Sequence, residues 1–136
     1  MPKECLRVYS ESTSIITGGA SGIGRALGEE IARRGGYVIM ADLQIELAEE
    51  VAQSIRSNGG NADAFELDVT DYSAVENLLR RTVEQTGRLD FMFNNAGISI
   101  IGDASLHRIE DWNRIIDVNL RGVINGVHAA YQIMLR

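Results

Sequence analysis

Apolar and polar positions along the chain follow two periods, one typical of buried strands and one typical of amphipathic helices. Short segments that each predict a strand lie at 14–17, 37–41, 62–67 and 89–93, and the one at 37–41 is apolar throughout. Between them, apolar residues recur every three or four positions, which predicts helices over about 22–34, 45–57 and 72–86. A last helical pattern starts near Asp111 and carries Trp112, which we expect in the core.

Strands that alternate with helices predict a parallel sheet with right-handed crossovers and helices on both faces. The run from Tyr37 to Ala41 supports this, because a strand that is apolar at every position is typical of one covered on both sides. No linker or low-complexity segment interrupts the alternation. We therefore expect a single α/β domain, a doubly wound parallel sheet, over residues 1–136.

Composition narrows the classes of protein to consider. The 136 residues are 45% hydrophobic, which argues against disorder, and the net charge of −6 argues against a nucleic-acid partner. The single cysteine, Cys5, cannot form a disulfide within the chain. The N-terminus does not read as a signal peptide, and no run approaches the ~18 apolar residues of a membrane span. These features predict a cytoplasmic protein without a membrane partner.

The most informative motif is Thr-Gly-Gly-Ala-Ser-Gly-Ile-Gly at 17–24, between the first predicted strand and the first predicted helix. Gly18, Gly22 and Gly24 have no Cβ that would keep a ligand away from the backbone. Their amides lie at the positive end of the following helix, which favours phosphate. A glycine turn needed only for a tight bend is the alternative. The strand before and the helix after favour a site for a pyrophosphate.

Asp42 follows the second predicted strand, at the sheet edge where open parallel sheets bind ligands. A carboxylate there can accept from both hydroxyls of an adenosine ribose and would repel a 2′-phosphate. Ser21 and Leu43 flank this position and neither is basic, which favours NAD over NADP, although Arg25 lies close by. The alternative role of Asp42, as a helix cap, is compatible with ribose binding.

Polar residues also follow the third and fourth predicted strands. Asp68 could accept from an adenine amino group with Val69 against the ring, or it could cap the turn before the third helix. The run Asn-Asn-Ala-Gly at 94–97 suits a backbone approached by a ligand and cross-linked by side-chain amides, with a plain turn as the alternative. Asn119 falls in an apolar stretch of helix, where a buried amide needs hydrogen-bond partners. Its alternatives are exposure to solvent or a bond to the local backbone.

Together these motifs resemble the main branch of the short-chain dehydrogenase/reductase family over about residues 13–136. The resemblance rests on the glycine turn at 17–24, Asp42, Asp68, the run at 94–97 and Asn119 within Val-Asn-Leu-x-Gly. It implies a Rossmann-type fold, truncated after the fourth strand and its following helix. It also implies NAD(P)-linked oxidation of a hydroxyl or reduction of a carbonyl, with a small alcohol or ketone as substrate and a homo-oligomeric assembly.

The resemblance also implies residue roles. The implied NAD contacts are Thr17, Gly18, Ser21, Gly22, Ile23, Gly24, Asp42, Leu43, Asp68, Val69, Asn94, Ala96 and Gly97. The glycine turn and Ile23 would hold the pyrophosphate and nicotinamide side, Asp42 the ribose, and Asp68 with Val69 the adenine. Asn119 would be the family's catalytic asparagine, which positions a water in a proton relay.

The family's downstream Ser and Tyr-x-x-x-Lys have no counterpart in these 136 residues. Tyr131 is followed four places on by Leu135, Tyr72 by Glu76, and the only lysine is Lys3. The resemblance therefore implies the N-terminal cofactor-binding part of a longer enzyme, inactive by itself. No metal site is expected, since the two histidines have no ligand-like companions.

Two other readings stay open from the sequence. One is a non-catalytic short form that binds a nucleotide or, through its last helices, a partner. The other is a methyltransferase-like α/β domain, in which an acidic residue after the second strand also binds a ribose. The glycine turn and the Asn-Asn-Ala-Gly run speak against the second.

Overall fold

The computed structural model describes residues 8–135, which form a four-stranded, wholly parallel sheet of order β3-β2-β1-β4. The strands are β1 (Thr13–Thr17), β2 (Tyr37–Asp42), β3 (Asn61–Glu66) and β4 (Phe91–Phe93). The helices are α1 (Gly22–Arg33), α2 (Ile45–Ser57), α3 (Tyr72–Thr86), α4 (Ile109–Ile116) and α5 (Gly122–Met134). Lys3, Cys5 and the segment considered as a signal peptide lie outside the described residues. The strand order is the one expected of a doubly wound sheet.

Successive residues of β1 point to opposite faces and seed two separate cores. Ile15 packs with α3 and α5 on one face, whereas Ile16 packs with α1 and α2 on the other. Every residue of β1 is buried, as predicted for a strand covered on both sides. The helices on both faces confirm the predicted α/β architecture.

The carboxyl ends of all four strands meet at one edge of the sheet, because the strands are parallel. Three of the four strands occur within a residue of their predicted bounds. The prediction for β4 was too long, since the strand begins at Phe91 rather than Leu89. Asp90, just before it, directs its carboxylate onto the amide of Thr13 (2.8 Å) and onto Arg88. Side-chain bonds thus hold the start of this strand.

The last helical segment is interrupted by a π-helical turn. α4 begins at Ile109, two residues before the predicted start, and a π turn at Asp117–Arg121 joins it to α5. The expectation that Trp112 belongs to the core was wrong: its side chain is 46% exposed and lies edge-on to His107. No residue of α4 is buried, so this helix does not dock on the sheet as α5 does.

Within residues 8–135 none of the helices combines the length and the apolar character needed to cross a membrane.

Candidate cofactor site

The glycine turn leaves β1 at the carboxyl edge of the sheet and runs into α1. Gly18 and Gly22 have φ values of +67° and +54°, in the left-handed region that favours glycine. Ser21 is the N-cap of α1 but makes no side-chain capping bond. The first hydrogen bond within the helix runs from the backbone amide of Arg25 to the carbonyl of Ser21. The amides of residues 22–24 precede it in the first turn, where the helix itself supplies no acceptor. These amides are the anion-binding feature that the sequence predicts.

Gly24 is required by packing inside the turn. A Cβ on Gly24 would lie 2.2 Å from the carbonyl oxygen of Gly18 and 2.6 Å from Nδ2 of Asn95. A Cβ on Gly22 would meet nothing within 4 Å, so its side toward solvent is open. Gly24 therefore closes the turn internally, whereas Gly22 leaves room for an approaching group.

Side chains clamp the glycine turn to the segment after β4. The hydroxyl of Thr17 accepts from the amides of Asn95 (3.1 Å) and Ala96 (3.0 Å) and donates to the carbonyl of Phe93. The side-chain Nδ2 of Asn95 donates in return to the carbonyls of Thr17 and Gly18. The predicted cross-linking by amides is present. Thr17 itself is only 2% exposed, so it shapes the site from beneath.

Asp42, at the end of β2, supports the same turn from the other side. Its Oδ2 accepts from the amide of Ala20 (3.0 Å) and its Oδ1 from the amide of Gln44 (3.0 Å). Asp42 is not the N-cap of α2, as the alternative had it, because that position is Gln44; Asp42 instead accepts from the amide of the N-cap residue. Each carboxylate oxygen has a second lone pair, which keeps ribose binding compatible with this geometry.

Two exposed apolar side chains border the turn. Ile23, in the first turn of α1, is 78% exposed, and Leu43 beside Asp42 is also exposed. Arg25 extends along α1 to Glu29, with 2.8 Å between Nε and Oε1. The cation nearest the turn in sequence thus already has an acidic partner.

Asp68 and Val69, after β3, form part of a tight turn. Oδ1 of Asp68 accepts from both the amide (2.9 Å) and the hydroxyl (2.7 Å) of Thr70, and the carbonyl of Asp68 accepts from Asp71. The turn-capping role of Asp68 is therefore present. Val69 is 8% exposed, with its side chain against Gly122 of α5, so it offers little surface to a ring.

The segment 94–97 also depends on the last helix. Asn94 fits a notch at Gly126, where a Cβ would lie 1.8 Å from its Oδ1. A Cβ on Gly97 would lie 3.3 Å from Oδ1 of Asn119. Two glycines thus permit the close approach of this segment to the helix.

Asn119 lies in the π turn and has two partners. Its Oδ1 accepts from the amide of Ile98 and its Nδ2 donates to the carbonyl of Ile98, both at 2.8 Å. The expectation of a buried amide was wrong, because the residue is exposed; the need for partners was right. π turns occur frequently at functional sites, since they redirect a side chain without ending the helix.

Sequence reasoning missed two residues that organise this edge. Asn125 is buried and donates to the carbonyl of Val69 (2.9 Å), and Gly126 admits Asn94. An amide within an apolar helix was the signal used for Asn119, and it applied equally to Asn125. Among residues 8–135, no cluster of three or more His, Cys, Asp or Glu side chains could hold a metal ion.

A parallel sheet with a glycine turn and helix start at its carboxyl edge defines a Rossmann-type α/β domain. The family described as short chain dehydrogenase matches residues 12–136. The chain therefore belongs to the short-chain dehydrogenase/reductase family. This membership decides against the methyltransferase-like reading.

Relatives and solved structures agree with this assignment. The chain is 36% identical over 124 residues to the 3-oxoacyl-[acyl-carrier-protein] reductase FabG of Thermotoga maritima, covering 90% of this chain and 50% of the relative. It is 34% identical over 116 residues to meso-2,3-butanediol dehydrogenase of Serratia marcescens, covering 85% and 45%. A short chain dehydrogenase/reductase from Burkholderia phymatum, solved in complex with NAD, superposes with a TM-score of 0.89 at 30% identity, covering 93% of this chain and 45% of that one. The chain thus spans about half the length of the relatives it matches.

Proposed function

We propose that this chain is the cofactor-binding part of an NAD-dependent short-chain dehydrogenase/reductase that interconverts a hydroxyl and a carbonyl by hydride transfer. The observation that carries the proposal is the glycine turn that leads into α1 at the carboxyl edge of the sheet, where the Asp42 carboxylate accepts from the amide of Ala20, just before the N-cap. The solved neighbour from Burkholderia phymatum, which is in complex with NAD, supports the choice of cofactor class. NAD supplies the hydride chemistry, and a small alcohol or ketone would be the substrate of the whole enzyme.

In this proposal the chain's own residues bind and orient the dinucleotide. The amides of Gly22, Ile23 and Gly24 receive the pyrophosphate, because a helix N-terminus stabilises anionic oxygens. Asp42 accepts from the ribose hydroxyls, and Asp68 accepts from the adenine amino group. We propose that Thr17 holds the turn in shape, which its bonds to the amides of Asn95 and Ala96 support.

We further propose that the cofactor is NAD rather than NADP. A 2′-phosphate at the ribose would face the Asp42 carboxylate, and Arg25, the basic residue nearest to the glycine turn in sequence, is paired with Glu29. Like charges at hydrogen-bond distance repel strongly where solvent is partly excluded. The expected selectivity therefore comes from repulsion as well as attraction.

Calorimetric titration of the chain and of Asp42 variants with NAD and NADP tests this proposal. Asp42→Ala should weaken NAD binding ~10–100-fold, because charge-assisted hydrogen bonds of ~1.5–3 kcal/mol are lost. Asp42→Asn keeps one oxygen acceptor, replaces the other with an amide donor and removes the charge, and should shift selectivity toward NADP. Asp63→Ala, on the neighbouring strand, is the control and should change neither affinity. Unchanged NAD affinity in Asp42→Ala would remove Asp42 from the site.

Asn119 is proposed as the family's relay asparagine. Both ends of its amide are engaged by the backbone of Ile98, so its orientation and that of the loop after β4 are fixed together. The family's tyrosine acid/base is absent from these 136 residues, and general acid–base catalysis contributes roughly 10²–10⁴-fold. We therefore expect no NAD turnover by this chain with a panel of secondary alcohols. Turnover above a protein-free blank would contradict this.

We further propose that the outer face of α4, the π turn and α5 mediates assembly. Its exposed apolar side chains recur at helical spacing and are Ile109, Trp112, Ile116, Leu120, Ile124, Val127 and Tyr131. A continuous apolar patch of this kind is typical of an interaction surface. We propose that it pairs with a second copy of the chain, giving a homo-oligomer; the alternative, a non-catalytic form that binds another partner, uses the same face.

Light scattering over a concentration series tests the assembly. Leu120→Glu should lower the molar mass at a given concentration, because a charge would be buried in the interface. Leu47→Glu, on α2, replaces a leucine that is also exposed, and should leave the mass unchanged. A wild-type chain that is monomeric at every concentration would contradict self-association.

We also propose a cytoplasmic setting. A single cysteine cannot form a disulfide within the chain, which suits a reducing compartment. Fractionation of source cells, with an antibody against this domain, would place it directly, and recovery in a secreted fraction would contradict the proposal.

A further inference from the structure

We propose that Asn125 is a positioning residue for the adenine-binding segment Asp68–Val69. This inference rests on the proposed function, because it assigns a new residue to the proposed cofactor site. Asn125 would not touch the nucleotide. It would act through the backbone of Val69.

α5 holds Val69 from two directions. Nδ2 of Asn125 donates to the Val69 carbonyl at 2.9 Å, and the side chain of Asn125 is buried, at 8% exposure. One turn earlier on the same helix, Gly122 receives the Val69 side chain so closely that a Cβ would lie 2.6 Å from its Cγ2. Backbone and side chain of Val69 are thus both fixed by α5.

The remaining bonds of this turn are mostly internal. Thr70 donates twice to Asp68, and Asp71 donates to the carbonyl of Asp68. Toward the sheet, Leu67 donates to the carbonyl of Asp42 (2.9 Å). A turn that is bonded mainly to itself moves as a unit, so its place relative to the sheet depends on Leu67 at one end and Asn125 at the other.

The position of this unit decides where the Asp68 carboxylate lies. Both donors from Thr70 go to Oδ1, and within residues 8–135 Oδ2 receives no hydrogen bond. Oδ2 is the atom we assign to the 6-amino group of adenine. Hydrogen bonds weaken steeply outside a narrow range of distance and angle, so a displaced turn loses this contact before it loses the fold.

The experiment compares AMP with inosine monophosphate, which carries a 6-oxo group where adenine has its 6-amino donor. Wild-type chain should prefer AMP about tenfold, the value of one hydrogen bond to a charged acceptor. Asn125→Leu keeps the side-chain volume but removes the donor to Val69. The preference for AMP should then fall toward unity, while both nucleotides still bind through phosphate and ribose.

Two further variants separate positioning from simple loss of stability. Gly122→Ala pushes on the Val69 side chain while improving helix propensity, so it should also lower the preference without unfolding the chain. Thr82→Ala removes a buried hydroxyl bond within α3, to Leu78, and should destabilise the fold while leaving the AMP preference intact.

The outcomes distinguish the inference from the proposed function. A wild-type chain that binds neither AMP nor NAD overturns both, and equal affinity of wild type for the two nucleotides overturns the adenine assignment and this inference with it. A wild-type preference that Asn125→Leu and Gly122→Ala retain overturns the inference alone, as does an equal loss in Thr82→Ala. Loss of preference in the Asn125 and Gly122 variants, with retention in Thr82→Ala, supports it.

Discussion

The two ends of the sheet use side-chain hydrogen bonds for opposite purposes. At the carboxyl end, bonds from Thr17, Asn95 and Asp42 clamp the loops around the glycine turn, and among the described residues nothing accepts from the first-turn amides of α1. At the amino end, side chains close the structure: Asp90 takes the amide of Thr13, and Tyr37 donates to Asp63 at 2.6 Å. Burial and then the bond to Asp63 raise the pKa of Tyr37, so its hydroxyl stays a donor.

This contrast indicates which substitutions change function and which change only stability. Bonds at the carboxyl end fix the shape of the surface that we propose binds NAD. Bonds at the amino end fix the starts of the strands, at the edge of the sheet opposite the proposed cofactor site. Variants at the first end should therefore alter both NAD affinity and unfolding free energy, and variants at the second end only the unfolding free energy.

The largest expected effect is that of Gly24→Ala. The new Cβ would overlap the Gly18 carbonyl, and relieving that overlap should cost about 3 kcal/mol of unfolding free energy and abolish NAD binding. Gly87→Ala is the control, since Gly87 is left-handed (φ +78°) but has open space around it. It should cost about 1 kcal/mol and leave NAD binding intact. Equal effects in chemical denaturation would contradict the internal role of Gly24.

Thr17→Val should have the next largest effect. Valine matches the shape of threonine but leaves the amides of Asn95 and Ala96 without their acceptor, at a cost of about 2 kcal/mol and with weaker NAD binding. Thr17→Ser keeps the hydroxyl and should lose less than about 1 kcal/mol, the value of one methyl group. If serine and valine weaken NAD binding equally, the hydroxyl clamp is not what shapes the turn.

At the amino end, Asp90→Asn should lower stability by about 1 kcal/mol at neutral pH and leave NAD affinity unchanged. The bond to Arg88, supported by the Thr13 amide, lowers the pKa of Asp90 in the folded state. Its contribution is therefore present above the unfolded pKa of about 3.9 and is lost as the pH falls through the lower folded value. Urea titrations of both proteins should converge in acid; a difference that persists there would contradict the charge as its cause.

The smallest effect should come from Ser14→Ala in the middle of β1. The Ser14 hydroxyl is buried and, among the described residues, has no hydrogen-bond partner, so its removal should cost nothing or stabilise slightly. Ser12→Ala, at the amino end, removes a buried hydroxyl that donates to the Tyr9 carbonyl (2.8 Å) and should cost about 1 kcal/mol. Thermal unfolding of the two variants compares the stability that a bonded hydroxyl contributes with that of an unbonded one.

Local patterns predicted the parts of this molecule that local physics determines. The helical periods and the glycine turn predicted α1 and α2, and the apolar run at 37–41 predicted β2, because period, apolar character and backbone freedom are properties of neighbouring residues. The start of β4 was misplaced because Asp90 bonds to Thr13, far away in sequence. The apolar residues of α4 lie on one face, but a pattern cannot show whether that face is covered, so it could not show that Trp112 is exposed. α5 is apolar over most of its length, so its pattern could not show that Asn125 faces Val69.

The π turn at Asp117–Arg121 sets the rotation of α5 about the helix axis relative to α4. Each residue of an α-helix advances the chain by about 100° around the axis, so deleting one residue here would swing all of α5 by that angle. Asn125 would lose its bond to Val69, and Gly126 would move away from Asn94. The exposed apolar side chains of α5 would also no longer align with those of α4. A change in chain length cannot rotate α5 by a smaller step, so we expect the number of residues in this turn to matter as much as the side chains that α5 carries.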